Sequence, residues 1–204
     1  MATMRIESKG PTAHTRQVLS QRQGETVATV LAAGLEQLRA HGYEQLSIRA
    51  VATAAGVTHT TAYAYFTSRA HLVAEIYWRE LQSVPHASFR EGLSLAARVN
   101  RAFKGPALLL ADEPELAQAA LSALLSTDPE VNRLRNAIGT DLASRVSDVV
   151  GPDTAPAITD ALLLAFSGAM LQAGMGYFDF TGVVERMRAL AKLLESPSNG
   201  GNRA

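Results

Sequence analysis

The segment Thr58-His59-Thr60-Thr61-Ala62-Tyr63-Ala64-Tyr65-Phe66 gathers most of the chain's recognisable chemistry. Wound at about 100° per residue, it places Ala62 and Phe66 on one side. Thr60, Tyr63 and Ala64 fall opposite them, with His59, Thr61 and Tyr65 on the flanks. A solvated helix face usually carries Glu, Lys or Gln; this one carries hydroxyls, an imidazole and phenols. No acid occurs between Glu44 and Glu75. Hydroxyls and phenols donate to phosphate oxygens, and a threonine methyl can touch a thymine methyl. A carboxylate among them would repel a DNA backbone. On this reading Thr61 and Tyr63 reach phosphates, Thr60 and His59 reach base edges, and Tyr65 is half buried. Arg49, just upstream, could take a guanine or a phosphate, or be an ordinary surface residue.

Two short helices must hold that face. Ser47 stands ahead of an apolar-periodic run as an N-cap, its hydroxyl placed to accept an orphan backbone N–H. Ile48 to Ala55 is Ala-rich without Gly or Pro and should be helical. Gly56 supplies a left-handed residue that ends it without a Cβ penalty. Val57 is expected in the turn's interior, and Thr58 is a suitable N-cap for the next helix. Ala52 and Ala55 are small enough for a close crossing. A helix pair of this form lays its second helix in the major groove of DNA.

The stretch from Arg22 to Tyr77 resembles the DNA-binding domain of the TetR family of bacterial transcriptional regulators. The resemblance rests on His41-Gly42-Tyr43 at the end of the first helix, the turn Ala55-Gly56-Val57-Thr58, and Tyr63-Ala64-Tyr65-Phe66-Thr67-Ser68-Arg69. Three positions depart from the family's usual residues. Thr60 stands where many members have Gly, and changes the surface offered to DNA. Ala62 replaces a common Leu and trims the small core. Arg69 replaces Lys and keeps a positive charge available for a phosphate. The resemblance implies DNA contacts from Ser47, Arg49, Thr58, His59, Thr60, Thr61, Tyr63, Tyr65 and Arg69, and a helical second domain that dimerises and binds a small molecule.

Composition is compatible with this. The chain has 204 residues, 47% hydrophobic, with no net charge and no Cys. Absence of Cys excludes disulfides and thiolate metal sites. No run of 18 apolar residues and no signal-peptide core are seen. A cytoplasmic protein is the expectation. The charge is divided: residues 1–71 hold seven Lys/Arg against four acids, and the remainder twelve against fifteen. The candidate reading end is therefore the basic end.

The rest of the pattern is all-α. Residues 1–20 read as a flexible arm, 21–68 as the helix-turn-helix unit, 69–195 as an effector-binding and dimerisation domain, and 196–204 as a disordered tail. A first helix is expected from about Ser20 to His41, stopped by Gly42. A fourth starts near Ser68 and carries Leu72, Ile76, Trp78 and Leu81. Beyond Pro85, helices are expected over Ser88–Leu110, interrupted or kinked at Gly105-Pro106, and over Pro114–Leu125. The next runs from Thr127 or Asp128, either of which can cap it, to Val150. The last two cover Ala155–Phe178 and, with Thr181 as cap, the stretch up to Glu195.

Some 125 residues beyond the fourth helix exceed what reading DNA requires. Gly168, Gly174 and Gly176 inside a helix cost about 1 kcal/mol each relative to Ala. Something should approach closely there: a partner helix, another helix of the same chain, or a ligand. Gly168, Gly174, Leu190 and Leu194 are the candidate dimer interface, as half of an intersubunit four-helix bundle. Phe103, Leu109, Leu121, Leu125, Phe166, Met170 and Met175 could line a pocket for a small apolar effector, or be plain core. Gln172 could anchor a ligand or lie on the surface. The five His make no metal pattern, and no cofactor is expected. No phosphate loop, nucleophile elbow or carboxylate pair signals an enzyme. A helical protein-interaction adaptor is the competing class, and an enzyme without a motif a more distant one.

Overall fold

The computed structural model describes residues 21–151 and 154–195. The expected arm and tail lie outside the described residues. Among those described there are nine helices and no strand: α1 (Gln21–Gln45), α2 (Ile48–Ala54), α3 (His59–Tyr65), α4 (Arg69–Ser83), α5 (Leu95–Ala111), α6 (Pro114–Leu124), α7 (Pro129–Val150), α8 (Pro156–Gly174) and α9 (Phe180–Glu195).

The helices start and stop where side chains satisfy their orphan backbone groups. Ser47, Thr58, Ser68 and Ser94 each accept an N–H from the first turn of α2, α3, α4 and α5. Gly42 and Gly56 take φ of 72° and 68°, so the break in α1 and the α2–α3 turn fall where the glycines stand. The two ways of starting α7 resolve in favour of Asp128, whose carboxylate accepts from the Glu130 N–H at 2.9 Å with Pro129 in the first turn.

Three expected boundaries move. Residues 88–94 are a turn-containing loop, and α5 begins only at Leu95, behind the Ser94 cap. Pro106 lies inside α5 as a buried residue, and Gly105 before it leaves room for the Val84 side chain. The cap of α9 is Asp179: its Oδ1 accepts from the Gly182 N–H at 2.8 Å, and the Thr181 hydroxyl only donates to it. Gly176, expected inside α8, instead ends it with φ of 82° and a Tyr177 N–H to Gln172 carbonyl bond.

One core runs through the chain. Val30, Leu38, Val51, Ala62 and Phe66 fill the space among α1, α2 and α3 and join Leu72, Val73 and Ile76 of α4. Leu81, Val99, Phe103, Leu116, Val131, Val146, Leu162, Phe166 and Met187 continue it through the remaining helices. α5 packs most extensively on α9, and α4 on α6, then equally on α1 and α7. α8 is the one described helix apolar enough by length and composition to cross a membrane, yet only 22% of its most apolar window is buried within the chain. It packs on α6, α7 and α9 and leaves its other side open.

α4 is held by α7. Arg145 of α7, only 1% exposed, donates from Nη2 to the Leu81 carbonyl at 2.9 Å and from Nη1 to the Val84 carbonyl at 3.0 Å. Its Nε donates to the Asp141 carboxylate at 2.6 Å. The carbonyls at the end of α4 are short of helical partners, Leu81 keeping only the Val84 N–H at 3.1 Å, and this guanidinium supplements them. Removing it leaves a carboxylate and several carbonyls underbonded. Arg145→Met should therefore cost about 3 kcal/mol in urea unfolding; a loss under a third of that would show that water replaces the guanidinium.

Candidate nucleic-acid interface

The outer surface of α3 carries the groups expected to meet DNA. Ala62 and Phe66 are fully enclosed, and their opposite side shows His59, Thr60, Tyr63 and Ala64 to solvent. Tyr63 is 48% exposed, which leaves its phenol free to reach outward. Tyr65 is half buried against the core, as the helical winding predicts, and Val57 is also only half buried. Arg49 is exposed one residue into α2.

Four of the expected contact residues, Ser47, Thr58, Thr61 and Arg69, already have work inside the chain. Ser47 Oγ accepts from the Ala50 N–H at 3.1 Å. Thr58 Oγ1 accepts from the Thr61 N–H at 3.1 Å and lies 2.8 Å from Thr61 Oγ1. The two threonines therefore share one hydrogen-bonded cap at the start of α3, while their hydroxyls stay near the surface. Arg69 is turned inward: Nη1 donates to the carbonyls of Tyr43 and Glu44 at 2.9 and 3.0 Å, and the guanidinium stacks 4.2 Å from the Tyr43 ring centroid. The charge expected to serve a phosphate fastens the end of α1 to the start of α4, with 35% of the side chain still exposed. Its stacking partner Tyr43 lies 26 positions away, so only the folded chain joins them.

The turn after α3 is a polar hub that the sequence does not announce. Thr67 N–H donates to His71 Nδ1 at 3.2 Å, and the His71 ring meets Phe66 edge-on at 5.6 Å. Burial holds the His71 imidazole below its ordinary pKa, so its neutral, hydrogen-bond-accepting form is favoured. Ser68 and Thr67 donate to the Asp128 carboxylate at the head of α7, at 2.5 and 3.2 Å. Burial alone would raise that carboxyl, but these hydroxyls and the Glu130 N–H outweigh it and hold it below the usual range. A second tie joins Arg39 of α1 to Glu113, ahead of α6. Arg39 also lies 2.5 Å from Glu36. Being close to the surface, it contributes less than its geometry suggests.

The expected pocket residues separate. Phe103 and Phe166 are enclosed and stacked, with ring centroids 4.3 Å apart and 19° between planes, and Met170 is buried beside them. Leu109 and Leu121 are half buried. Leu125 is 75% exposed and Met175 62% exposed, so neither lines an interior: each falls just past its helix, where the chain turns outward. Gln172 is exposed. Two open depressions lie elsewhere. One of about 490 Å³ sits among α1, α2 and α4 near Ala32, Ala55 and Arg79. Another of about 550 Å³ lies near Phe89, Val150 and Thr159. Among the described residues no group of His and acids is arranged to hold a metal ion.

The expected interface residues separate as well. A Cβ on Gly174 would run into the tip of Leu121 on α6, so this glycine serves a close approach within the chain. Gly168 has open space where a Cβ would point. Leu190 is half buried on the core, and Leu194 is 38% exposed. The sequence reading missed Leu164, Leu171 and Leu193, which are exposed. With Ala157, Ala161 and Gly168, and with Met175 just past the helix end, Leu164 and Leu171 form a line along α8 at alternating spacings of four and three, all of it uncovered. That spacing was available as a signal of a helix-pairing seam.

The division between Tyr63 and Arg69 has a measurable consequence. Tyr63→Ala should weaken duplex-DNA binding about tenfold and leave the melting temperature unchanged, since the ring is largely outside the core. Arg69→Ala should lower stability by about 1–2 kcal/mol through loss of the Tyr43 and Glu44 contacts. Gel shifts and thermal melts on the two variants decide it; the opposite pattern would place Arg69 on the DNA and Tyr63 in the fold.

Comparison with known proteins agrees with this geometry. Residues 30–76 match the family model for bacterial regulatory proteins of the tetR family. An HTH-type transcriptional regulator of Mycobacterium tuberculosis is 36% identical over 189 residues, which is 90% of this chain and 88% of that protein. A Mycobacterium bovis regulator of the same description matches equally. Among solved structures, a TetR transcriptional regulator from a Rhodococcus species superposes with a TM-score of 0.67 at 19% identity, covering 86% of this chain and 97% of the other. A TetR regulator from Streptomyces fradiae gives 0.53 at 22% identity, with 85% and 87% covered. With its helix-turn-helix in α2 and α3, its all-helical C-terminal part and a relative matching along nearly its whole length, the chain belongs to the TetR family of DNA-binding transcriptional regulators.

Proposed function

We propose that this regulator acts in the cytoplasm as a homodimeric repressor of a partly palindromic operator, released by a small apolar effector. Residues 21–68 form its reading unit, and 69–195 pair the subunits and receive the effector. The observation that carries the reading is the acid-free face of α3, with His59, Thr60, Thr61 and Tyr63 on a helix whose inner side is sealed by Ala62 and Phe66. Its hydroxyls and phenol bond phosphates and base edges without repelling the backbone. Arg49 adds a cation beside them.

The seam on α8 supports pairing. Leu164 is 77% exposed and Leu193 of α9 is 72% exposed. The small Gly168 between Leu164 and Leu171 lets a second helix come close, and a symmetric copy presents the same line. Two reading units on one site then bind with a gain of two to four orders of magnitude over one unit. Glu in place of Leu164 should leave a folded monomer in sedimentation at micromolar concentration and weaken operator binding about a hundredfold. A stable dimer in that variant would move the interface elsewhere.

The effector's place is proposed between α5 and α8, where Phe103, Phe166 and Met170 are apolar and adaptable. No charged group belongs to that set, so the ligand class is apolar. An effector shifts the spacing of the reading units only by binding one arrangement better than the other. A thermal-shift screen checks this alongside gel shifts. Salt-sensitive, sequence-dependent duplex binding supports the regulator reading, and its absence in the dimer would sink it. Stabilisation by ionic compounds and not by apolar ones would overturn the effector class. Catalysis forms no part of the proposal.

A further inference from the structure

We propose that Asp128 is a positioning residue for DNA reading: its carboxylate, bonded to Thr67 and Ser68, sets the orientation in which α3 is presented. The argument begins with where these residues lie. Phe66 caps the C-terminus of α3, and Ser68 caps the N-terminus of α4. Phe66, Thr67 and Ser68 are therefore the whole connection between the reading helix and the helix that leads away from it, and Thr67 and Ser68 are its polar part. Core packing of Ala62 and Phe66 holds the inner side of α3, and a group that holds Thr67 and Ser68 restrains its C-terminal end.

Asp128 uses its two oxygens for different tasks. Oδ1 accepts from the Glu130 N–H at 2.9 Å and starts α7. Oδ2 accepts from Ser68 Oγ at 2.5 Å and from Thr67 Oγ1 at 3.2 Å. Ser68 Oγ in turn accepts from the His71 N–H at 3.0 Å and starts α4. One carboxylate thus joins the heads of two helices, 60 positions apart in the chain, at the edge of the reading unit. At the other end of α4, Arg145 of the same α7 binds the Leu81 and Val84 carbonyls. α4 and α7 therefore run side by side in the same direction and are joined at both ends. The distal joint is buried, and the joint at Asp128 is polar and near the surface. A shift of α7 is passed to α3 through the Asp128 joint, and without it α3 can tilt about Thr67 and Ser68.

The helix caps offer a clean test, because Ser and Asp are equally good N-caps. Ser68→Asp keeps the α4 cap but sets two carboxylates against each other. Asp128→Ser keeps the α7 cap but removes the acceptor charge. The double variant restores a hydroxyl–carboxylate pair with the roles exchanged. The full-length chain and the three variants would select duplexes from a random library whose two half-sites are separated by variable spacing. The inference rests on the dimeric DNA reader proposed above. Wild type and double variant are expected to favour one spacing, and each single variant to lose about tenfold of that preference. Helix content should be unchanged in all. Wild-type spacing preference in Ser68→Asp overturns the proposal, as does a folded double variant no more selective than the single ones. If Ser68→Asp does not fold, Thr67→Val, which touches no cap, carries the same comparison. Selection of no duplex by the wild type would overturn the DNA reader itself, and the positioning role with it; single half-sites alone would remove the dimer instead.

Discussion

The grip of α7 on α4 is the constraint from which the remaining geometry follows. α4 contributes Leu72, Val73 and Ile76 to the packing of the reading unit and Leu81 to the core beyond it, so it belongs to both parts of the molecule. A helix shared in this way needs a reference. Arg145 provides one by saturating the carbonyls at the end of α4 with a guanidinium removed from water. Burying a charge this deeply is costly unless its donors are used, and here Asp141 and three carbonyls take four of the five N–H groups. The interaction is directional, which hydrophobic packing is not. It fixes where α4 ends, and hence where Ser68, one helix length away, must sit.

Around that reference the polar groups of the reading unit divide into those facing in and those facing out. Arg69, Ser47 and Thr58 serve the chain, by stacking or by capping. His59, Thr60 and Tyr63 remain available outside. Preorganisation explains the division: a reading helix of seven residues is too short to be stable alone, so its caps and its inner side must be satisfied by the fold. What is left over can be spent on DNA.

The C-terminal part shows the same economy with apolar surface. α8 is apolar nearly all round, yet α6, α7 and α9 cover only part of it. The stacked pair Phe103–Phe166 lies on the covered side, and the line from Ala157 to Met175 on the uncovered one. An apolar helix exposed to water is unfavourable in a monomer, and association removes it. The pairing and effector surfaces proposed above therefore fall on opposite sides of one helix.

Much of this was legible in the residues themselves. Caps and breakers are local signals, so Ser47, Gly42, Gly56 and Thr58 announced the first three helices, and the family motif around Tyr63–Arg69 announced their use. The inward and outward sides of α3 followed from helical periodicity alone. Other features depended on contacts that no local pattern encodes. Arg69 looks the same in sequence whether it faces a phosphate or Tyr43, and Gly174 whether it faces a partner or Leu121. Leu125 and Met175 belong to apolar helical runs, but helix ends that turn outward left them in solvent. Arg145 gave no sign of being buried, because the carbonyls it serves are some 60 positions upstream. The sequence by itself determined the helices, their caps and the chemistry of the reading face, since these depend on neighbours within a turn or two. Only the tertiary structure decided which charges are spent internally and which surfaces stay open, because those depend on residues brought together from distant parts of the chain.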